Sequence, residues 1–123
     1  MRKIFHIGLA VPDLDKGMAE IGDLFDLSWR PVITRSMTIK DGNDHPYDVD
    51  CHVTFSLGGP FAVEVWEAIP GTPLATPESG YFHHIGYWVD DYTAERERLG
   101  TLGYPPFLTS EPTLQLSRGP GNI

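Results

Sequence analysis

Two similar segments, 78 residues apart, are the feature that most constrains how this chain can fold. The first begins near His6 and the second near His84. Chance would supply roughly one identity over such a span at ordinary residue frequencies, but the sequence has His6/His84, Ile7/Ile85, Gly8/Gly86, Val11/Val89, Asp13/Asp91, Gly22/Gly100 and Leu24/Leu102. The repeat predicts two copies of one supersecondary unit.

Each copy has the pattern of a strand that leads into a helix. In the first copy the apolar residues alternate and then take helical spacing, at Ile7, Leu9, Val11 and then Leu14, Met18, Ile21, Phe25. Asp13 and Asp91 are the predicted N-caps, because a carboxylate accepts the free N–H groups of a first helical turn. In the second helix we expect a solvated charged run at 95–98 and an apolar stripe from Tyr92, Leu99 and Leu102.

The rest of each unit is predicted as strands. In the first unit these cover residues 27–34, 51–57 and 61–67, with a polar loop at 41–46 and a turn at 58–60. In the second unit a strand at 84–90 precedes the helix; strands near 107–109 and at 114–117 and a turn at 119–121 follow it. The expected α+β fold has two tandem β-α-β-β-β modules, at about 1–68 and 81–123 with a linker at 69–80. They form a curved sheet around a concave cleft, with the helices outside and the last strand of the second module largely missing.

Length and composition favour one domain covering residues 1–123, a size typical of single domains. The net charge of −8 and the lack of a basic cluster argue against nucleic acid as a partner. Cys51 has no cysteine to pair with, and no apolar segment resembles a signal peptide or a membrane span. We therefore expect a cytoplasmic protein without membrane attachment.

The parity of the strands predicts a cluster of side chains on the concave face. If Ile7 and Ile85 face the helices, His6 and His84 face the cleft at equivalent places. In the same way Val63 and Val65 on the helix side place Glu64 inside. Two imidazoles and a carboxylate suit a divalent ion such as Fe, Mn, Co, Ni or Zn. Three other histidines are not predicted to be ligands: His83, which should point to the opposite face, and His45 and His52, which have no repeat partner.

Three segments resemble the vicinal-oxygen-chelate superfamily, which includes glyoxalase I, methylmalonyl-CoA epimerase, bleomycin-resistance proteins and extradiol dioxygenases. The segments are Phe5-His6-Ile7-Gly8-Leu9-Ala10-Val11-Pro12-Asp13-Leu14, Val63-Glu64-Val65-Trp66-Glu67 and Phe82-His83-His84-Ile85-Gly86-Tyr87-Trp88-Val89-Asp90-Asp91. The resemblance implies a metal-dependent enzyme in which His6, Glu64 and His84 are ligands.

Several reactions are compatible with this resemblance. The leading hypothesis is a glyoxalase- or epimerase-like isomerase or lyase, which chelates neighbouring oxygens of a small substrate and shifts a proton beside a carbonyl. Extradiol dioxygenases take their carboxylate from the last strand of the second module, so Glu64 favours the first hypothesis. A metal-free binding protein of the bleomycin-resistance type is the other alternative.

The catalytic residue is unassigned, because the resemblance implies a fourth ligand, a carboxylate, on the last strand. Laying 117–121 on the turn at 56–60 puts that position just beyond Ile123, so we expect the natural protein to continue there. Trp66, Trp88, Gly8 and Gly86 are the expected substrate-pocket residues. Arg30, Arg35 and Lys40 are the only basic residues expected nearby, and they give no clear site for a glutathione or CoA moiety. A homodimer is a further expectation.

Overall fold

The computed structural model describes residues 2–110 and 114–117. Along that part of the chain the elements are β1 (Lys3–Val11), α1 (Leu14–Phe25), β2 (Ile33–Asp41), β3 (Pro46–Phe55), β4 (Ala62–Glu67), β5 (Phe82–Trp88), α2 (Tyr92–Thr101), β6 (Pro106–Ser110) and β7 (Leu114–Ser117). This is β-α-β-β-β followed by β-α-β-β, which confirms the predicted order of elements. The turn expected at 119–121 and the strand expected to follow it lie outside the described residues.

All seven strands belong to one curved sheet, in the order β5-β1-β4-β3-β2-β6-β7. β1 runs parallel to β4, and the other neighbours in the sheet are antiparallel. The first strands of the two repeats, β1 and β5, therefore lie side by side. In their register His6 stands opposite Gly86 and His84 opposite Gly8.

The outer face of the sheet is covered by α1. Its buried residues Leu14 and Ile21 pack with Val11 of β1 and Val65 of β4. Asp13 caps this helix through its side chain, which accepts a hydrogen bond from the backbone N–H of Lys16 at 3.0 Å. The predicted strand parity is confirmed here. Val11 and Val65 pack against α1, whereas their neighbours Ala10 and Trp66 belong to a separate cluster on the concave face.

The concave face is partly filled by a second apolar cluster. Its buried members come from five strands and from the linker between the modules: Ala10, Ile39, Val49, Cys51, Val53, Trp66, Leu74 and Leu108. Leu74 belongs to the linker, and its carbonyl accepts a hydrogen bond from Trp66 Nε1 at 3.0 Å. The linker thus closes one end of the concave face and leaves the other end open.

The second strand lies further along the chain than predicted. We expected it at residues 27–34, but β2 begins at Ile33, and Trp29 makes only an isolated bridge with Ser56. Trp29 instead donates its indole N–H to the carbonyl of Met18 in α1. The sequence signal was weak because the residues of β2 that face away from the concave core are polar and form cross-strand hydrogen bonds, as in Ser36 to Asp50.

The second helix is held differently from the first. The predicted apolar stripe is wrong at Leu102, which is 57% exposed; Tyr92 and Leu99 are half-buried, and Glu95 is the only fully buried residue that α2 contains. Glu95 accepts hydrogen bonds from the guanidinium groups of Arg2 and Arg98. The charged run therefore also connects α2 to the segment before β1, through the hydrogen bonds from Arg2 to Glu95. No helix in the described ranges is long and apolar enough to cross a membrane.

Candidate metal centre

A β-bulge precedes each of the two repeat-related histidines. Between Ile4 and His6 strand β1 advances by two residues while β5 advances by one, which makes Phe5 the extra residue. Between Gly8 and Leu9 strand β1 advances by one residue while β5 advances by two, which makes His83 the extra residue of β5. Such bulges re-aim neighbouring side chains and are common beside active sites. They occur at equivalent positions of the two repeats.

The bulge overturns the expectation that His83 points to the face opposite His84. The two rings are in contact, with centroids 5.2 Å apart. His83 also packs edge-on against Trp66, which belongs to the concave cluster. Strict alternation fails here because the extra residue lets two consecutive side chains lie on the same face. His83 is buried, as expected for a structural residue.

Two glycines make room for the histidine rings. A Cβ atom on Gly86 would lie 2.4 Å from the His6 ring, and one on Gly8 would lie 2.3 Å from the His84 ring. Each histidine of one module therefore rests on the glycine of the other. The two His-Ile-Gly segments thus form one shared site rather than two separate ones, because the glycine of each segment lies beneath the histidine ring of the other.

The structure brings together the three predicted ligands. The Nε2 atoms of His6 and His84 are 2.7 Å apart. Glu64 Oε1 lies 3.4 Å from Nε2 of His6 and 3.5 Å from Nε2 of His84. The predicted convergence of these side chains on one point is confirmed.

These separations fit a single ion. With bonds of about 2.0–2.2 Å and angles between octahedral and tetrahedral values, neighbouring donor atoms lie about 2.8–3.6 Å apart; both Glu64 separations lie in this range, and the His6–His84 separation of 2.7 Å lies just below it. The donor set of two imidazole nitrogens and one carboxylate oxygen suits borderline divalent metals. His45 and His52 take no part, because His52 is exposed and pairs with Thr34 and His45 stacks beside Tyr47.

Burial sets the protonation of this cluster. It lowers the pKa of His6 to about 4. It also lowers the pKa of His84 to about 3, with smaller contributions from the neighbouring His6 and His83. Burial raises the pKa of Glu64 to about 7, and the positive charge of Arg35 opposes that shift. Near neutral pH both imidazoles keep free electron pairs, and the carboxyl group can release its proton to a binding cation.

Comparison with known protein families agrees with this geometry. Residues 5–116 match the family model described as the glyoxalase/bleomycin resistance protein/dioxygenase superfamily. The chain belongs to this superfamily. No curated protein and no solved structure matches it. The resemblance found in the three sequence segments is thereby confirmed over nearly the whole chain, while the reaction within the superfamily is not determined by the match.

A hydrogen-bond chain orients one of the two histidines of this superfamily member. His83 Nε2 lies 2.8 Å from the carbonyl oxygen of Pro73, which can only accept, so His83 donates from Nε2. In neutral His83 the Nδ1 atom is then an acceptor, and it lies 3.0 Å from Nδ1 of His84. His84 therefore carries its proton on Nδ1, and the lone pair of its Nε2 faces Nε2 of His6 at 2.7 Å, with Glu64 Oε1 at 3.5 Å. Such outer partners fix the tautomer of metal-binding histidines.

His6 has no equivalent support. Its Nδ1 atom is buried without a hydrogen-bond partner, the only such side-chain atom among the described residues. The ring also packs edge-on against Phe5, with centroids 4.8 Å apart, and against Phe55 at 6.1 Å. His84 is thus held by hydrogen bonds at both ring nitrogens, whereas His6 has a hydrogen bond only at Nε2, to Nε2 of His84, and is otherwise held by packing.

The open end of the concave face is a cavity of about 950 Å³ that reaches the three-residue cluster. His6 and Glu64 form part of its wall. Three phenylalanines and two arginines also line it, namely Phe5, Phe55, Phe61, Arg30 and Arg35. Glu64 is the only carboxylate among the described residues of this wall. The cavity wall therefore has an apolar part formed by the phenylalanines, a carboxylate at Glu64 and positive charges at the two arginines.

The expected pocket residues are not those that form this wall. Trp66 is only 2% exposed and lies in the core beneath the linker, and Trp88 is 57% exposed and packs on Phe5. Gly8 and Gly86 are covered by histidine rings. No phenylalanine was among the pocket residues expected from the sequence. Phe55 could have been found from strand alternation, because it continues the concave-facing series of Val49, Cys51 and Val53, but Phe5 faces the cavity only because of its bulge.

Proposed function

We propose that this chain is a metal-dependent isomerase or lyase of the glyoxalase or epimerase kind. The observation that carries the proposal is the convergence of His6, Glu64 and His84 at the wall of a cavity. Its substrate is a small molecule with two neighbouring oxygen atoms. A divalent ion held by these three residues would polarise a carbonyl group of that substrate and stabilise negative charge on its oxygen.

Glu64 is the residue of this chain that suits the proton transfer. It lies on the cavity wall, and both imidazoles approach the same carboxylate oxygen, Oε1, which leaves the second oxygen to accept and return a proton. We propose that one carboxylate oxygen faces the imidazoles while the other exchanges a proton with the substrate carbon beside the carbonyl.

An extradiol-type dioxygenase is the second candidate. Two histidines and one carboxylate on one side of a site are also the ligand set of non-haem Fe(II) oxygenases, and the cluster has this composition. The two reactions differ in their use of oxygen. Oxygen uptake by Fe(II)-loaded protein with catechols would support the dioxygenase and contradict the isomerase or lyase.

The first test is the metal content of protein purified without chelators, together with titration by Mn²⁺, Ni²⁺, Co²⁺ or Zn²⁺. We expect a single ion per chain in the wild type and at least about a tenfold loss of affinity in Glu64→Gln. Loaded wild-type protein should catalyse exchange of a substrate C–H proton with deuterated solvent across a panel of 2-oxoaldehyde adducts and 2-oxoacids.

The matched control is Glu67→Gln, which changes the same residue type at the exposed end of the same strand. This variant should bind metal as the wild type does. If neither wild type nor control takes up a divalent ion, the enzyme hypothesis fails and a metal-free binding protein replaces it.

A further inference from the structure

The cavity beside the candidate metal centre contains two arginines whose side chains form no ion pair with the described residues. Arg30 and Arg35 line its wall, and neither forms an ion pair among the described residues. By contrast, Arg2 and Arg98 are both occupied by Glu95. The chain has only nine basic residues and a net charge of −8, so two cations in one concavity with no ion pair to the described residues are a local exception to its acidic surface.

The sheet register explains how Arg35 reaches the cavity. Arg35 stands opposite Cys51, and two residues further along β2 Met37 stands opposite Val49. Cys51, Val49 and Met37 all belong to the concave cluster, so Arg35 lies on the same face. Arg35 is the charged residue among the apolar residues on this face of β2, which are Ile33, Met37 and Ile39. Its positive charge lowers the pKa of Glu64, although no ion pair joins the two side chains.

The position of Arg30 is fixed by its backbone. Its N–H donates to the carbonyl of Phe55 at 2.9 Å, and its carbonyl accepts from Thr54 Oγ1 at 2.6 Å. Both bonds tie the segment before β2 to the end of β3, beside the aromatic part of the wall. The arginine side chain is exposed, so a ligand can reach it from the open end of the cavity.

We propose that the substrate of this site carries an oxyanion, separate from its two neighbouring oxygens, and that Arg30 and Arg35 bind it. Guanidinium groups recognise carboxylates and phosphates, which share this chemistry, through paired charge-assisted hydrogen bonds. Phe5, Phe55 and Phe61 contact the apolar part between the two ends. The proposal rests on the proposed function for the end of the substrate that faces Glu64, and on the arginines for the other end.

The test compares three probes that share one catechol ring. These are 3,4-dihydroxyphenylacetate, (3,4-dihydroxybenzyl)phosphonate and the neutral 4-ethylcatechol, titrated calorimetrically into Zn²⁺-loaded and metal-free protein. We expect at least one charged probe to bind about tenfold more tightly than the neutral one. The tighter of the two identifies a carboxylate or a phosphate type of substrate. The preference should weaken as salt is added, because both arginines are exposed.

Arg30→Gln and Arg35→Gln should each reduce this preference, measured as the ratio of charged-probe to neutral-probe affinity in the same variant, and circular dichroism spectra like that of the wild type would show that the variants are folded. Arg96→Gln removes the same charge from the outer helix, where Arg96 is exposed, and should keep the preference. The proposal is overturned if the charged and neutral probes bind alike, or if the preference survives both cavity substitutions. Failure of metal uptake with a retained preference in metal-free protein would instead contradict the proposed enzyme and keep the oxyanion site.

Discussion

At the scale of single residues, the glycines opposite the histidines have the most restrictive surroundings in the site. Gly8 and Gly86 lie under the rings of His84 and His6, and neither has room for a methyl group. The close approach of the ring to the backbone is what lets the two Nε2 atoms come within 2.7 Å of each other. A side chain at either position would push one ligand away from the other.

We expect Gly86→Ala to lower metal affinity at least about tenfold, because the added Cβ would lie 2.4 Å from the His6 ring and that ring has to move. Calorimetric titration with Zn²⁺ measures the change. Gly100→Ala is the control, since an added Cβ meets nothing within 4 Å there and the residue lies in α2. The control should keep its metal affinity and lose no stability. Equal affinities in the two variants would contradict the reciprocal arrangement.

At the scale of secondary-structure elements, the two repeat-related helices are attached by different physical forces. α1 buries apolar residues against β1 and β4. α2 buries Glu95, whose carboxylate is bound by Arg98 of the same helix and by Arg2, a residue 93 positions away in the sequence. The hydrogen bonds from Arg98 and then Arg2 hold the pKa of Glu95 well below its usual range.

Acid should therefore loosen the second helix. The folded pKa of Glu95 is depressed below its ordinary value of 4.5, so its stabilising effect is present above that pH and is lost as pH falls below it. Glu95→Gln should melt at a lower temperature than the wild type at neutral pH. The difference should shrink below about pH 4. Thermal melts followed by circular dichroism would show this.

Glu97→Gln serves as the control for this measurement, because Glu97 is exposed on the same helix. Its melting curve should follow that of the wild type at each pH. A Glu95→Gln variant as stable as the wild type at neutral pH would show that α2 is held by other contacts.

At the scale of the whole molecule, the candidate metal centre lies where the two modules meet. His6 and Glu64 come from β1 and β4 of the first module, and His84 comes from β5 of the second. An ion bound by all three stabilises the sheet where the repeats meet. Because the unfolded chain lacks this arrangement, binding adds to the free energy of unfolding, by about 2.7 kcal/mol at a free metal concentration of 100 times Kd.

The stabilisation by metal should depend on pH through one proton. Glu64 has a raised pKa of about 7 and has to release its proton to bind the ion, so affinity falls below that pH. The lowered pKa values of His6 and His84, about 4 and about 3, keep both rings neutral down to those values. We expect the logarithm of Kd to rise by about one for each unit by which the pH is lowered between about pH 6.5 and about pH 5.

Melting temperatures with and without Zn²⁺ at several pH values measure this dependence. His6→Ala should abolish the rise in melting temperature that Zn²⁺ causes. His52→Ala should keep this rise, because His52 is exposed and pairs with Thr34. A slope of about two or three over the same range would mean that the histidines titrate with Glu64, contrary to the effect of their burial.

The sequence by itself determined the repeat, the order of the elements and the convergence of His6, Glu64 and His84. These follow from local rules, because strand parity fixes which side chains share a face once the helix-facing residues are recognised. It also indicated the superfamily through residues adjacent to those ligands. Each of these features can be read from one segment at a time.

Only the tertiary structure decided the features that depend on how segments pair. The bulges at Phe5 and His83 are properties of the register between β1 and β5, so no period within either strand reveals them. The burial of Trp66 depends on the linker that folds over it, and that of Glu95 on a distant arginine. The wall of the cavity combines residues of β1, β2, β3 and β4 with the segments between them, which is why its residues differ from those expected from one strand at a time.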